Sequence, residues 1–137
     1  MASAERAGPA PADAREIIGR VPSLAGAPRV IAELPGGLTN RNYKVTTPAG
    51  TFVARIWTAA GDLLAIDRDH EYENSVRAAA AGVGAPVVEY RPQDQILVLR
   101  FLAGRTLRNE DVRAAGNLPR IAAAVRRLHR AQRFVND

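Results

Sequence analysis

Cysteine is absent from this chain of 137 residues. That excludes disulfides, thiolate nucleophiles and cysteine-held metals. Lysine occurs once, at Lys44, so the 19 basic side chains that set a formal net charge of +5 against 14 acids are nearly all arginine. Aromatic residues are scarce, with three Phe, three Tyr and one Trp. The arginines are scattered rather than gathered into blocks. Cations interleaved with stacking aromatics, as a nucleic-acid groove requires, are therefore not expected, and no nucleic-acid partner follows from the charge. The abundance of Ala, Arg, Gly and Pro reads instead as a GC-rich coding bias. No apolar run approaches the roughly 18 residues of a membrane span, and the N-terminus lacks the apolar centre of a signal peptide. A cytoplasmic protein with no membrane partner is the resulting expectation. What is present is an ordinary globular balance, 47% hydrophobic and 24% charged, enough for one domain or part of one with a real core.

Read in order, residues 1–13 form an Ala/Pro-rich tail without hydrophobic period, expected to be disordered. Ile17, Ile18 and Val21 share a helical face after a candidate Asp13 cap, which predicts a short helix over 14–21. A first strand is expected over 29–34. The turn Pro35-Gly36-Gly37 leads to a second strand over 42–47, and Thr47-Pro48-Ala49-Gly50 turns into a third over 51–57. The pleat of that third strand puts Phe52, Ala54 and Ile56 on one face and Val53, Arg55 and Trp57 on the other. A helix is expected over 65–81, with a stripe at Tyr72, Val76, Ala79, Ala80 and Val83, stopped by Gly82 and Gly84. Strands over 87–90 and 95–101 follow, then a linker with Gly104, a helical turn near 109–115, and an amphipathic helix over 118–132. The fold class is α+β: a five-stranded antiparallel sheet with one covering helix, followed by a linker and a further helix.

Three features carry chemistry. Gly36 and Gly37 reach backbone angles closed to other residues and let N–H groups approach a phosphate, with Thr39, Asn40 and Asn42 as short polar neighbours. The turn joins two strands, so it is neither a Walker A loop nor a dinucleotide fingerprint. Arg55 stands mid-strand among apolar residues, where a cation calls for an anionic partner: a phosphate, a helical carboxylate, or both. The run Asp67-Arg68-Asp69-His70-Glu71-Tyr72-Glu73 puts acids at a helix start, as the helix dipole favours. Its Glu71 flanks the apolar stripe and could reach back to the sheet. His70 has no second ligand at metal-binding spacing.

With those residues in hand, the chain resembles the N-terminal lobe of the choline/ethanolamine kinase family, within the larger aminoglycoside phosphotransferase and protein-kinase-like group. The similarity is carried by Gly36-Gly37-Leu38-Thr39-Asn40-Arg41-Asn42-Tyr43, Val53-Ala54-Arg55-Ile56, Ile66-Asp67-Arg68 with Glu71, Arg100-Phe101-Leu102-Ala103-Gly104 and Leu128-His129, and it spans about Val30 to His129. The resemblance implies ATP with Mg²⁺, and a small alcohol or amino-alcohol as acceptor. Gly36 to Asn42, including Leu38, would cover the phosphates. Arg55 would touch the α- and β-phosphates with Glu71 fixing it, and Val53 would meet the adenine. Arg100, Phe101 and Leu102 would form the hinge whose backbone meets the adenine edge. His129 would be structural. Residues 14–104 would be the nucleotide-binding lobe with its hinge, and 105–137 the start of a helical C-lobe.

Relatives carry an H-x-D-x-x-x-x-N segment and a later metal-binding Asp in that second lobe, and neither occurs here. The expectation is a fragment or truncated product whose C-lobe is missing and which is inactive alone, with no catalytic or metal residue of its own. The alternatives are an aminoglycoside- or thiamine-type phosphotransferase fragment, or a non-catalytic nucleotide- or protein-binding module that meets a C-lobe partner or itself through its last helix.

Overall fold

The computed structural model describes residues 12–37, 39–58 and 65–135. The tail expected over 1–13 falls almost wholly outside the described residues, as do Leu38 and most of the loop after the third strand. By internal contacts the chain divides into two units, Met1–Arg68 with Val87–Phe101, and Asp69–Pro86 with Leu102–Asp137.

The first unit holds the sheet. Its strands are β1 (Val30–Leu34), β2 (Asn40–Thr47), β3 (Gly50–Trp57), β4 (Val87–Arg91) and β5 (Ile96–Arg100). All pair antiparallel in the order β1-β2-β3-β5-β4. The five-stranded antiparallel sheet of the sequence reading is thus present. β2 begins two residues earlier than its apolar pattern suggests, because Asn40 pairs with Trp57 at the far end of the β2–β3 ladder. The most apolar strand, β5, lies between β3 and β4, and its Ile96, Leu97, Val98 and Leu99 are all buried. A run buried on both faces is what a central strand needs.

One face of the sheet is closed by the N-terminal segment. Helix α1 (Ala12–Gly19) and the 3₁₀ turn Pro22–Leu24 deliver Ala14, Ile18, Val21 and Leu24 into a core with Tyr43, Val45, Phe52, Ala54, Ile56, Ile96 and Val98. Spacings of three and four residues bring these apolar side chains to one side. The helix starts at Ala12, so Asp13 lies in its first turn. Its role in the sheet's core is not legible from its length.

Polar pairs finish the rim of this face. Arg41 donates from Nε and Nη2 to Glu33 across β1–β2, at 3.2 Å each. Burial pushes the Tyr43 hydroxyl above its ordinary range, against the opposing effect of Arg41, which lies over its ring. On β4, Glu89 accepts from the Ser23 amide at 3.0 Å and from Arg91 at 3.3 Å. Burial disfavours that carboxylate, yet the hydrogen bonds outweigh it and hold the carboxyl below its usual value. Glu89 therefore ties the N-terminal turn to an edge strand.

The second unit contains α2 (Arg68–Ala80, all but its first residue), α3 (Asn109–Arg113) and α4 (Leu118–Arg130). The helix expected from Ala65 begins three residues later, and Ala65 has a left-handed φ of 49°. α2 ends as glycine permits: Gly82 takes φ 71° while the amide of Val83 bonds back to Ala78 O at 3.0 Å. No residue of α2 is fully buried and Val76 is exposed, so the expected stripe is narrower than its sequence pattern. Asn74 grips the backbone of Val135 twice, donating to its carbonyl at 3.0 Å and accepting from its amide at 2.8 Å. In the first turn of α3, Asp111 accepts from the Arg108 amide at 2.8 Å and from Arg105 at 2.7 Å. Arg105 first, then that amide, lowers the Asp111 carboxyl to about 2. In α4, Leu118 and Val125 are exposed while Ile121, Ala124 and Leu128 are half-buried. His129, expected as a structural residue on the stripe, is exposed.

Candidate functional site

The other face of the sheet, turned away from α1, carries the residues singled out by their chemistry. Register fixes them in rows. Asn40 stands opposite Trp57, Asn42 opposite Arg55 and Lys44 opposite Val53. Leu97 and Leu99 of β5 continue the last two rows opposite Arg55 and Val53. Because β2 and β3 alternate, Tyr43, Val45, Phe52, Ala54 and Ile56 point to the core, which obliges Asn42, Lys44, Val53 and Arg55 to point the opposite way.

The glycine turn enters β2 at the top of these rows. Gly36 and Gly37 have φ of 92° and 106°, a region that side-chain residues avoid. Space matters at only one of them. A Cβ on Gly37 would lie 2.5 Å from the Asn40 carbonyl oxygen and 3.1 Å from Asn42 Nδ2, whereas nothing lies within 4 Å of a Cβ on Gly36. The turn is fastened where it joins β2: the amide and hydroxyl of Thr58 both donate to Thr39 O, at 3.2 and 3.1 Å.

Two arginines meet two asparagines here. Arg55 donates from Nε to Asn42 Oδ1 at 3.3 Å. Arg68 donates from Nη1 to Asn40 Oδ1 at 3.1 Å, and its guanidinium carbon lies 5.2 Å from the centre of the Trp57 ring. Trp57 in turn meets Tyr90, centroids 6.0 Å apart. Further along the face, Lys44 Nζ lies 4.4 Å from the centre of the Phe101 ring. Apolar Val53 and Leu99 suit a planar ring, while Arg55 and Lys44 supply positive charge beside it.

The sheet thus brings together Thr39, Asn40, Asn42, Val53 and Arg55 near the exit of the Gly36-Gly37 turn. Other sequence-derived candidates lie elsewhere. The Arg100 guanidinium is stacked 5.1 Å from the centre of the Phe52 ring, on the core face, so its side chain does not join Arg55. Phe101 keeps its ring on this face beside Lys44, but its amide is spent on Thr51 O at 3.1 Å. Leu102 is exposed, and both Leu102 and Glu71 belong to the second unit. Leu38 lies outside the described residues. Three residues of the face were not singled out from sequence: Lys44, Trp57 and Arg68. For Lys44 the signal was available, since it is the chain's one lysine and stands two residues from Asn42 on a strand. Arg68 stood only within the Ile66-Asp67-Arg68 stretch that carries the resemblance, with no role of its own, because the acids around it dominate the local pattern.

A five-stranded antiparallel sheet, with a glycine turn between its first two strands and a cation midway along the third, is the N-terminal lobe of a kinase-like fold. Residues 30–136 match the model of the phosphotransferase enzyme family, and the chain belongs to that family. Among solved structures it is similar to a choline/ethanolamine kinase family protein from Mesorhizobium loti, at 32% identity and a TM-score of 0.67, over 85% of this chain and 37% of that one. It shares its fold with an ethanolamine kinase from Plasmodium vivax, at 18% identity and a TM-score of 0.61, over 90% of this chain and 31% of that one. The chain thus spans about a third of the length of these two. No curated protein sequence matches it.

Proposed function

We propose that the chain is the nucleotide-binding part of an ATP-dependent phosphotransferase whose acceptor is a small alcohol or amino-alcohol of the choline/ethanolamine kind. The observation that carries the reading is the Arg55–Asn42 pair, aimed from β3 and β2 on the face that the glycine turn enters. Family membership supports phosphoryl transfer, and the likeness to the Mesorhizobium loti choline/ethanolamine kinase family protein supports the acceptor class. In this proposal the backbone of 36–42 and the Arg55 guanidinium take the phosphates. Val53 meets the base and the backbone at Phe101 its polar edge, with Leu102 and Glu71 as further candidate residues of the reading. Residues 14–104 form the nucleotide-binding lobe, and 105–137 open a helical second lobe.

Among the described residues no group of three or more His, Cys, Asp and Glu could hold a metal ion. The sequence also has no H-x-D-x-x-x-x-N segment. In phosphoryl transfer such residues position the acceptor hydroxyl and neutralise developing charge, which supplies most of the catalysis. In this proposal the groups that complete the reaction come from a second lobe.

Calorimetric titration of the purified 137-residue chain with ATP and with adenosine tests the reading. ATP should bind at least about tenfold more tightly than adenosine, since charge-assisted hydrogen bonds to phosphate are worth roughly 1.5–3 kcal/mol. With choline or ethanolamine present, no phosphorylated product should form. Equal affinity for ATP and adenosine, or no binding of ATP, overturns the assignment of this face to a nucleoside triphosphate.

A further inference from the structure

We infer that Arg68 is a positioning residue that latches the exit of the glycine turn, and so sets affinity for the phosphates rather than for the nucleoside. The inference rests on the nucleotide-binding reading above and deepens it. Asn40 and Asn42 stand two residues apart on one face of β2, and each carboxamide oxygen accepts from a different arginine: Asn42 from Arg55 at 3.3 Å, Asn40 from Arg68 at 3.1 Å. The two pairs have different surroundings. Arg55 lies mid-strand opposite Leu97, whereas Arg68 reaches the Asn40–Trp57 pair that ends the β2–β3 ladder. Its plane is backed there by the Trp57 ring at 5.2 Å. One residue before Asn40, the Thr39 carbonyl receives both donors of Thr58.

Arg68, Trp57 and Thr58 together fix both residues through which the turn enters the strand. A guanidinium is suited to this, because one planar group donates to an amide oxygen in its plane while stacking its face on an indole. A lysine at 68 would keep the charge and lose that geometry. The backbone angles of Gly36 and Gly37 carry no restraint from side chains of their own. The position of their N–H groups over a phosphate therefore depends on how firmly the strand end below them is held. Arg68 acts on the phosphates through Asn40 and the turn, and Trp57 records the contact, as the one tryptophan in the chain.

The test uses the full chain with Arg68→Ala and Arg68→Lys variants, after circular dichroism has confirmed that each is folded. Amide hydrogen exchange over 36–42 and Trp57 emission read the latch without nucleotide. Titration with ATP and with adenosine reads its consequence. Arg68→Ala should exchange faster across 36–42 and shift Trp57 emission. It should also bind ATP about tenfold more weakly while its adenosine affinity stays within about twofold, and Arg68→Lys should recover only part of the loss. Unchanged exchange over 36–42 in both variants overturns the inference. So does an equal loss of affinity for ATP and adenosine, which would mark Arg68 as a merely structural residue. If the unsubstituted chain binds no ATP, the nucleotide reading fails by itself, and the exchange and emission measurements still decide whether Arg68 latches the turn.

Discussion

Replacing Gly37 with alanine should cost the chain both stability and phosphate binding, while Gly36→Ala costs much less. Both glycines take φ values that disfavour a side chain, 92° and 106°, so either substitution carries backbone strain of roughly 1–3 kcal/mol. Only at Gly37 does the new methyl also meet an obstacle. The Asn40 carbonyl oxygen would be 2.5 Å away, and that oxygen is backbone that cannot rotate aside. Asn42 Nδ2, at 3.1 Å, is the second obstacle. Moving Asn40 and Asn42 disturbs the acceptors of Arg68 and Arg55 together. Gly37→Ala should therefore weaken ATP binding about tenfold or more, and lower the denaturation midpoint beyond Gly36→Ala. Indistinguishable midpoints and Kd values for the two variants would show that the close approach at Gly37 has no consequence.

The second large effect is expected at Ile18. Its side chain is fully buried in the core shared by α1 and the sheet. Truncating a buried isoleucine to alanine removes its transfer free energy and leaves a cavity, a loss of roughly 2–5 kcal/mol. Val125→Ala, on the exposed side of α4, is the matched control and should change stability by less than about 0.5 kcal/mol. Urea denaturation of both variants checks this. Ile18 precedes the residues matched to the family, 30–136. A large loss at Ile18 would make the N-terminal helix an integral part of the lobe, and a loss as small as that at Val125 would make it an appendage.

The sheet was legible because its signals are local. Alternation in 51–57, the Pro/Gly turns at 35–37 and 47–50, and the continuous apolar run of β5 each follow from pleat and turn chemistry. Strand order was not legible: nothing in Val87–Arg91 says that β5, the later strand, takes the place beside β3. Ile17, Ile18 and Val21 announced a helix, but eight residues of helix do not announce which surface they cover. At the site, the glycine turn and Arg55 could be found because glycine pairs and mid-strand cations are unusual. The pairing of Asn40 with Arg68 could not, since it joins residues 28 positions apart and each alone looks like solvent-facing polarity. The width of the α2 stripe was overread. Val76 of α2 satisfies the period of a buried face, yet it is exposed.

The most direct measurement is the Kd of Mg-ATP for the unsubstituted chain and for Arg55→Ala, by calorimetry under identical salt, with folding of both checked by circular dichroism. Loss of a guanidinium that engages phosphate should weaken binding about tenfold to a hundredfold. Equal Kd values would remove Arg55 from the nucleotide site and, with it, the assignment of this sheet face to phosphate binding.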